Sequence, residues 1–394
     1  MSGGLTVNSR GINGPMKKNL STVLFLAFMV SLLIVTGSSL VRAETIKIPV
    51  ASPFTGPLAS FGEGVKNGAL LKADEINASG GINGKKVEIV LGDELCDPKE
   101  AAAVATRFAN DPAIAVVIGH LCSSATLAAL PIYKEAKLPA ITPASTNPQI
   151  GKSSPYYFRN VYKDDFQGDF LARYAKQVRK FKKIAIFYEV NDYAMGLKDA
   201  FIRQAKKLGL RVIGAESYMA ETADFKAQLS KFKMMRPDAI FIPGYAPQAT
   251  LLISQARSLG LKCAFFGADG LDDEIMLKNP DADGLFVTTP FLVDRGGAKV
   301  HDFVKRYRDK FSIEPNWFAA NTYDAVGLAA AAIAAAGLDR EKVRAYLAGI
   351  SSKEKAYQGI TGATYFDENG DCLKAAFVKT IRNGKWVSAE EQLQ

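Results

Sequence analysis

From residue 44 onward the chain alternates short unbroken apolar runs with amphipathic stretches whose apolar positions recur every three or four residues. The first runs fall at 46–51, 87–92, 113–119 and 139–145, with the stretches between them at 61–78, 98–110 and 124–136. A run without polar alternation predicts a strand covered on both faces, and the wider spacing predicts a helix. Strand–helix–strand repetition implies right-handed crossovers and a parallel sheet. After Ser154-Pro155 the pattern restarts, with runs at 183–188, 211–215, 239–243, 263–267 and 284–288. Helices are predicted between these runs, near 165–181, 193–208, 224–235 and 246–259. Two similar halves predict an α/β protein of two lobes, each a doubly wound, mostly parallel sheet with helices on both faces.

The tail departs from that beat. It predicts helices at 297–311, 316–336 and 340–348, then strands at 356–366 and 374–387 around the turn Asp367-Glu368-Asn369-Gly370. Too few strands remain for a third domain, so the tail is expected to return and complete the two lobes. The expected division is 44–164 plus 293–370 for lobe 1 and 165–292 plus 371–394 for lobe 2. Several chain crossings between lobes would make a hinge.

The first 43 residues read differently. Met16-Lys17-Lys18-Asn19 is positive, 20–41 carries no charge and holds the apolar run 23–35, and Val41-Arg42-Ala43 ends the segment on small or modest residues. That order predicts a secretory signal peptide over 1–43, cut after Ala43, with Met16 a better start than Met1. Ser31 breaks the apolar stretch, which argues against an uncleaved membrane anchor.

Composition then narrows the chemistry. Of 394 residues, 48% are hydrophobic and 23% charged, a globular balance. Only His120 and His301 occur, which excludes a multi-histidine metal site. The formal charge of +9 includes Arg10, Lys17, Lys18 and Arg42 of the leader, and no basic stretch is interleaved with aromatics. Nucleic acid is therefore not an expected partner. The four cysteines include no CxxC pair. In an oxidising compartment Cys96 and Cys122 could close a loop worth roughly 3 kcal/mol, or stand as buried thiols. Cys263 and Cys372 offer a second pair, and the sequence leaves every connectivity open.

In open parallel sheets, ligands bind beyond the carboxyl ends of the strands. In the first half those loops carry Ser52-Pro53-Phe54-Thr55-Gly56-Pro57, Gly119-His120-Leu121-Cys122-Ser123-Ser124 and Thr142-Pro143-Ala144-Ser145-Thr146. In the second they are 189–196, 243–248 and Gly267-Ala268-Asp269-Gly270. Hydroxyls and free N–H groups at a helix start can hold a carboxylate without a basic side chain. Taken alone, Ser123 and Ser124 serve equally well as helix caps, Asp269 as a turn residue, and Tyr193 or Tyr245 as packing.

Enzyme signatures fail one by one. Gly62-x-Gly64-x-x-x-Gly68 misses the dinucleotide spacing by one residue, and Gly84-Lys85 has Ser79 where a phosphate loop needs glycine. There is no G-x-S-x-G elbow. His301 sits in a charged helical stretch, which leaves His120 beside Ser123 and Ser124 as the one arrangement a hydrolase could use. No cofactor, metal or catalytic residue is expected.

Several stretches resemble the periplasmic solute-binding proteins of the branched-chain amino acid family, the leucine/isoleucine/valine receptor type. They are Phe54-Thr55-Gly56-Pro57 with Gly80-Gly81-Ile82-Asn83-Gly84, Cys96-Asp97-Pro98, the loop 119–124 and the loop 141–146. Gly244-Tyr245, 266–270, Asn321-Thr322-Tyr323 and 366–371 extend the likeness over essentially the whole mature chain. The resemblance implies a type I clamshell joined by three crossing segments, exported to the periplasm. It places the ligand carboxylate on Ser123 and Thr146 with backbone from Ala144 and Ser145. It places the ammonium on Asp269, the Ala144 carbonyl, Tyr193 and Tyr245, the side-chain pocket on Phe61 and Phe318, and a disulfide on Cys96 and Cys122. Asp269 stands where a glutamate is common and Phe61 where a tyrosine is common, so the exact solute stays open.

The reading that follows is a monomeric, non-catalytic receptor of an ABC importer. It would capture an amino acid, most readily leucine, isoleucine or valine, and deliver it to a membrane permease. The rivals are the same fold binding another solute such as an aromatic acid or an amide, a sensory module, and an exported serine hydrolase built on His120.

Overall fold

The computed structural model describes residues 1–8, 11 and 45–393. The leader's apolar run, the start at Met16 and the cut after Ala43 lie outside the described residues. Contacts group the chain into Met1–Glu44 and Thr45–Gln394. Residues 1–8 and 11 carry no helix or strand and are exposed. Both sheets and the candidate site belong to the second unit.

β1 (Ile46–Ser52), β2 (Val87–Asp93), β3 (Val117–Ile118), β4 (Ala140–Thr142) and β5 (Tyr157–Arg159) form a parallel sheet in the order β2-β1-β3-β4-β5. Val50 pairs with Leu91 on one side and Ile118 on the other, so β1 is central and buried at nearly every position. That burial is why its run shows no alternation. Helices α1 (Ala59–Ala78), α2 (Pro98–Ala109), α3 (Ser123–Glu135) and the short α4 (Gln149–Ser153) connect these strands. Asp97 caps α2 by accepting the Lys99 and Glu100 N–H groups, with Pro98 at the first helical position.

The chain then crosses to a second sheet. α5 (Asp164–Arg173), α6 (Asp192–Lys207), α7 (Lys226–Met235) and α8 (Ala246–Ser258) alternate with β6 (Lys183–Glu189), β7 (Arg211–Tyr218), β8 (Ala239–Ile242), β9 (Ala264–Gly267) and β10 (Phe286–Thr289). After α5 the predicted helix continues only as a π-helical turn over Tyr174–Val178. α9 (Ala298–Phe311), α10 (Trp317–Ala336) and α11 (Arg340–Gly349) return to the core of the first sheet. There α10 lies against α1 at close range. A Cβ on Gly64 would meet the Asn316 side chain at 2.3 Å, and one on Gly68 the Ala319 carbonyl oxygen at 2.2 Å. The glycines that nearly spell a dinucleotide motif are thus close-packing positions.

Two expectations for the tail need correction. The segment expected as a strand at 356–366 joins neither main sheet. It folds as a separate hairpin of β11 (Tyr357–Gly359) and β12 (Gly362–Thr364). Its turn is tied to α10, because the buried Asp324 carboxylate accepts the Ile360 and Thr361 N–H groups, each at 2.9 Å. β13 (Phe377–Arg382) and β14 (Lys385–Ser388) do join the second sheet, but antiparallel, giving the order β14-β13-β10-β9-β8-β6-β7. Cys263 and Cys372 are free thiols packed against different cores, so they form no pair.

Candidate ligand-binding site

The loops beyond the carboxyl ends of both sheets enclose one small cavity. Leu121, Ser123, Ala144, Thr146, Trp317 and Phe318 line it from the first lobe, and Tyr193, Tyr245, Asp269 and Gly270 from the second. The enclosed space measures about 20 Å³, enough for roughly one water. A ligand of amino-acid size therefore needs these walls further apart.

On the first-lobe side, the loop from β3 into α3 is fixed before any ligand arrives. Gly119, at φ +130°, lies against β1, where a Cβ would meet the Ala51 carbonyl oxygen at 2.5 Å. The buried His120 ring is held between the Glu94 carboxylate and the Tyr133 hydroxyl, the latter at 2.9 Å. Leu121 N–H donates to the same Glu94 at 3.2 Å. The Cys96–Cys122 disulfide closes this loop onto the one after β2. These ties set the start of α3, whose first residue is Ser123.

Thr142 joins this loop to its neighbour after β4. Its hydroxyl donates to the His120 carbonyl at 2.8 Å and accepts the Ala144 and Ser145 N–H groups. The Ser145 hydroxyl also turns inward, to the His120 and Leu121 carbonyls at 3.0 and 2.8 Å. Ser145 thus stands behind the cavity wall, holding its shape. Phe61 also stands one layer back, stacked on Phe318 at 4.5 Å and edge-on to Tyr245 at 6.1 Å.

On the second-lobe side, Asp269 opens the turn after β9 and is 2% exposed. Its Oδ1 accepts the Tyr193 hydroxyl at 2.7 Å, and that hydroxyl oxygen accepts the Gly270 N–H at 3.1 Å. A Cβ on Gly270 would strike the Gly244 carbonyl oxygen at 2.5 Å and the Tyr193 ring, so only glycine lets Tyr193 reach Asp269. Tyr193 stacks on Tyr245 at 5.3 Å. Asp269 Oδ2 is buried and accepts no hydrogen bond. Burial pushes this carboxyl up to about 7, against the opposing pull of the Tyr193 hydroxyl and the Gln167 amide. The chemistry on offer is one buried, half-satisfied carboxylate facing a hydroxyl-lined helix start, with aromatic rings between them.

The hydrolase geometry is not there. Both His120 ring nitrogens are engaged with Glu94 and Tyr133. Ser123 Oγ instead accepts the Asn147 N–H at 3.2 Å, and Ser124 Oγ accepts the Asp192 N–H from the second lobe at 3.2 Å. Among the described residues no group of three or more His, Cys, Asp or Glu could hold a metal.

Sequence reasoning missed three participants. Trp317 lines the cavity, stacks on Phe318 at 3.8 Å and has a buried indole N–H without a partner. Leu121 lines it beside Ser123. Asn147 reaches across the cleft, its amide donating to the Asp192 carbonyl at 2.7 Å. The only available signal was position, since all three adjoin residues already singled out.

Known proteins share this fold. Residues 45–385 match the periplasmic binding protein family. The leucine-, isoleucine-, valine-, threonine- and alanine-binding protein of Pseudomonas aeruginosa is 34% identical over 336 residues, 84% of this chain and 87% of that protein. The Leu/Ile/Val-binding protein of Escherichia coli is 33% identical over 338 residues, 85% of this chain and 90% of its own. Among solved structures, the branched-chain amino acid transporter substrate binding protein LivJ of Streptococcus pneumoniae, in complex with isoleucine, superposes with a TM-score of 0.83 at 33% identity. That match covers 89% of this chain and 99% of the other. The fold and these matches define a two-lobed, type I solute-binding protein. The chain belongs to the periplasmic binding protein family.

Proposed function

We propose that this chain is the substrate-binding receptor of an ABC importer for branched-chain amino acids. The observation that carries the reading is the buried Asp269 oxygen without a donor, set opposite the start of α3. An α-ammonium group supplies the missing donors to Asp269. The α-carboxylate fits the N-terminal N–H groups of α3 with the Ser123 and Thr146 hydroxyls. An aliphatic side chain then lies against Leu121, Phe318 and Trp317, with Phe61 behind them. The relatives named for leucine, isoleucine and valine support this choice of solute.

The lobes divide at 164/165, 292/293 and 370/371 and turn about these crossings to close on the ligand. The closed form is what a membrane permease recognises. The receptor acts as a monomer in the periplasm after its leader is removed, and binds without catalysis because His120 serves its loop. Asp269→Asn tests the ammonium assignment: it keeps the shape and removes the charge. Calorimetry is expected to find leucine affinity reduced about 100-fold or more in a normally folded protein. Unchanged affinity would remove Asp269 from the site.

A further inference from the structure

Behind the cavity the polar groups do not balance. Asp164, on the first turn of α5, is fully buried, and neither carboxyl oxygen takes a hydrogen bond. The Gln167 carbonyl oxygen one turn later and Asp269 Oδ2 are likewise buried without a donor. The Gln167 amide donates to the Tyr162 and Thr288 hydroxyls at 3.1 and 2.8 Å. Among the described residues no cation forms an ion pair with either acid. Arg159 binds Asp371 at 2.6 Å, and Lys379 pairs with Asp272. Asp164 stands directly behind the wall, its N–H donating to the carbonyl of the lining residue Thr146 at 2.9 Å.

We propose that Asp164 is a positioning residue of the ligand site: it keeps its proton, acts as a donor in this acceptor-rich cluster, and leaves Asp269 as the single negative charge that a ligand with one cationic nitrogen meets. The inference rests on reading Asp269 as the ammonium partner. A buried carboxyl that no cation pairs with and no donor satisfies stays neutral. Its O–H then supplies a donor to a cluster in which the Gln167 carbonyl oxygen and Asp269 Oδ2 have none. Two ionised carboxylates would favour a dication, whereas one suits the single ammonium of a neutral amino acid. Burial pushes the Asp164 carboxyl well above the usual range, reinforced by the Asp269 charge and only partly offset by Thr146 and Arg159. The other titratable groups facing the pair are Tyr162, Tyr193 and Tyr245, with Asp165 beside Asp164 and Asp272 beside Asp269.

The test compares Asp164→Asn and Asp164→Leu with the parent protein. Leucine calorimetry runs from about pH 5.5 to about pH 9, and carboxyl-carbon NMR of labelled aspartate follows the ligand-free proteins. An amide imitates a protonated acid, so Asp164→Asn is expected to hold leucine affinity within about threefold and to keep the same acid limb. Asp164→Leu removes the donor and makes Asp269 harder to ionise. Its affinity is expected to fall about tenfold or more at neutral pH and to recover toward alkaline pH. In the spectra, the signal missing from Asp164→Asn stays protonated through about pH 7 in the parent. An asparagine variant as damaged as the leucine one, a leucine variant matching the parent, or an Asp164 carboxyl ionised at neutral pH would each overturn the proposal. The NMR arm needs no ligand. A parent protein that ignores every amino acid therefore defeats the receptor reading, while the spectra still decide the protonation of Asp164. If the leucine variant does not fold, the asparagine variant and the spectra decide.

Discussion

Asp269 places folding and binding in opposition. Its carboxyl is pushed up to about 7 by burial, so the ligand-free fold holds a proton that the unfolded chain would already have lost. The stability tied to this group is therefore full in acid, declines as pH rises toward 7, and stays lost above it. Ligand affinity runs the other way, because an ammonium needs the ionised form. Leucine binding is expected to weaken as pH falls through about 7, approaching tenfold per pH unit further down; a flat profile there would contradict a titrating Asp269. The same residue gives a thermal signature. At about pH 8, ligand-free Asp269→Asn is expected to be more stable than the parent by on the order of 1–4 kcal/mol, a gap that narrows as pH falls from about 7 toward the ordinary carboxyl value of 3.8 and closes below it. A parent that melts higher throughout would mean Asp269 is not destabilising. Ser123, Thr146 and Asp269, which line the cavity, stood in loops after buried strands, but capping and turns explained Ser123 and Asp269 equally well, and it was the family resemblance that singled them out. Trp317 was not legible, because it begins an apolar helix and periodicity alone reads it as core.

Among the elements, the loop between β3 and α3 shows how a rigid edge presents a helix start. Glu94, His120, Tyr133 and the disulfide hold it from beneath, while Thr142 and Ser145 hold it from the side. His120→Ala would leave the buried Glu94 carboxylate and Tyr133 hydroxyl without their shared partner. The expected loss is roughly 2–4 kcal/mol of stability, read by denaturant unfolding with leucine present and absent; a variant as stable as the parent would contradict this structural role. The alternation of buried runs and amphipathic stretches made most strands and helices legible, since parallel strands covered on both faces leave a plain apolar signature. The hairpin at 357–364 was hidden for a different reason. Its separation from the main sheets depends on Asp324, distant in sequence, binding its turn.

At the scale of the molecule, the lobes touch through a few polar contacts at the cleft. Asn147 and Ser124 of the first lobe hydrogen-bond to Asp192, at the start of α6 in the second. Such contacts weight the balance between open and closed forms without touching ligand. Asn147→Ala is expected to weaken leucine binding by roughly 2- to 10-fold, leave the unfolding midpoint of the ligand-free protein nearly unchanged, and enlarge the scattering radius at a given leucine concentration. Equal affinity would mean that this contact does not favour closure. The two-lobe plan was legible because the strand–helix pattern restarts, whereas the latch was not, since only the folded chain brings Asn147 to Asp192. The central claim is a cleft that recognises both charged ends of an amino acid. Calorimetry on the ligand-stripped mature chain, comparing leucine with 4-methylpentanoate, tests it most directly, because the two differ by the ammonium group alone. The account predicts tight leucine binding and affinity for the amine-free acid weaker by about 100-fold or more; equal binding of both, or of the acid alone, would contradict it.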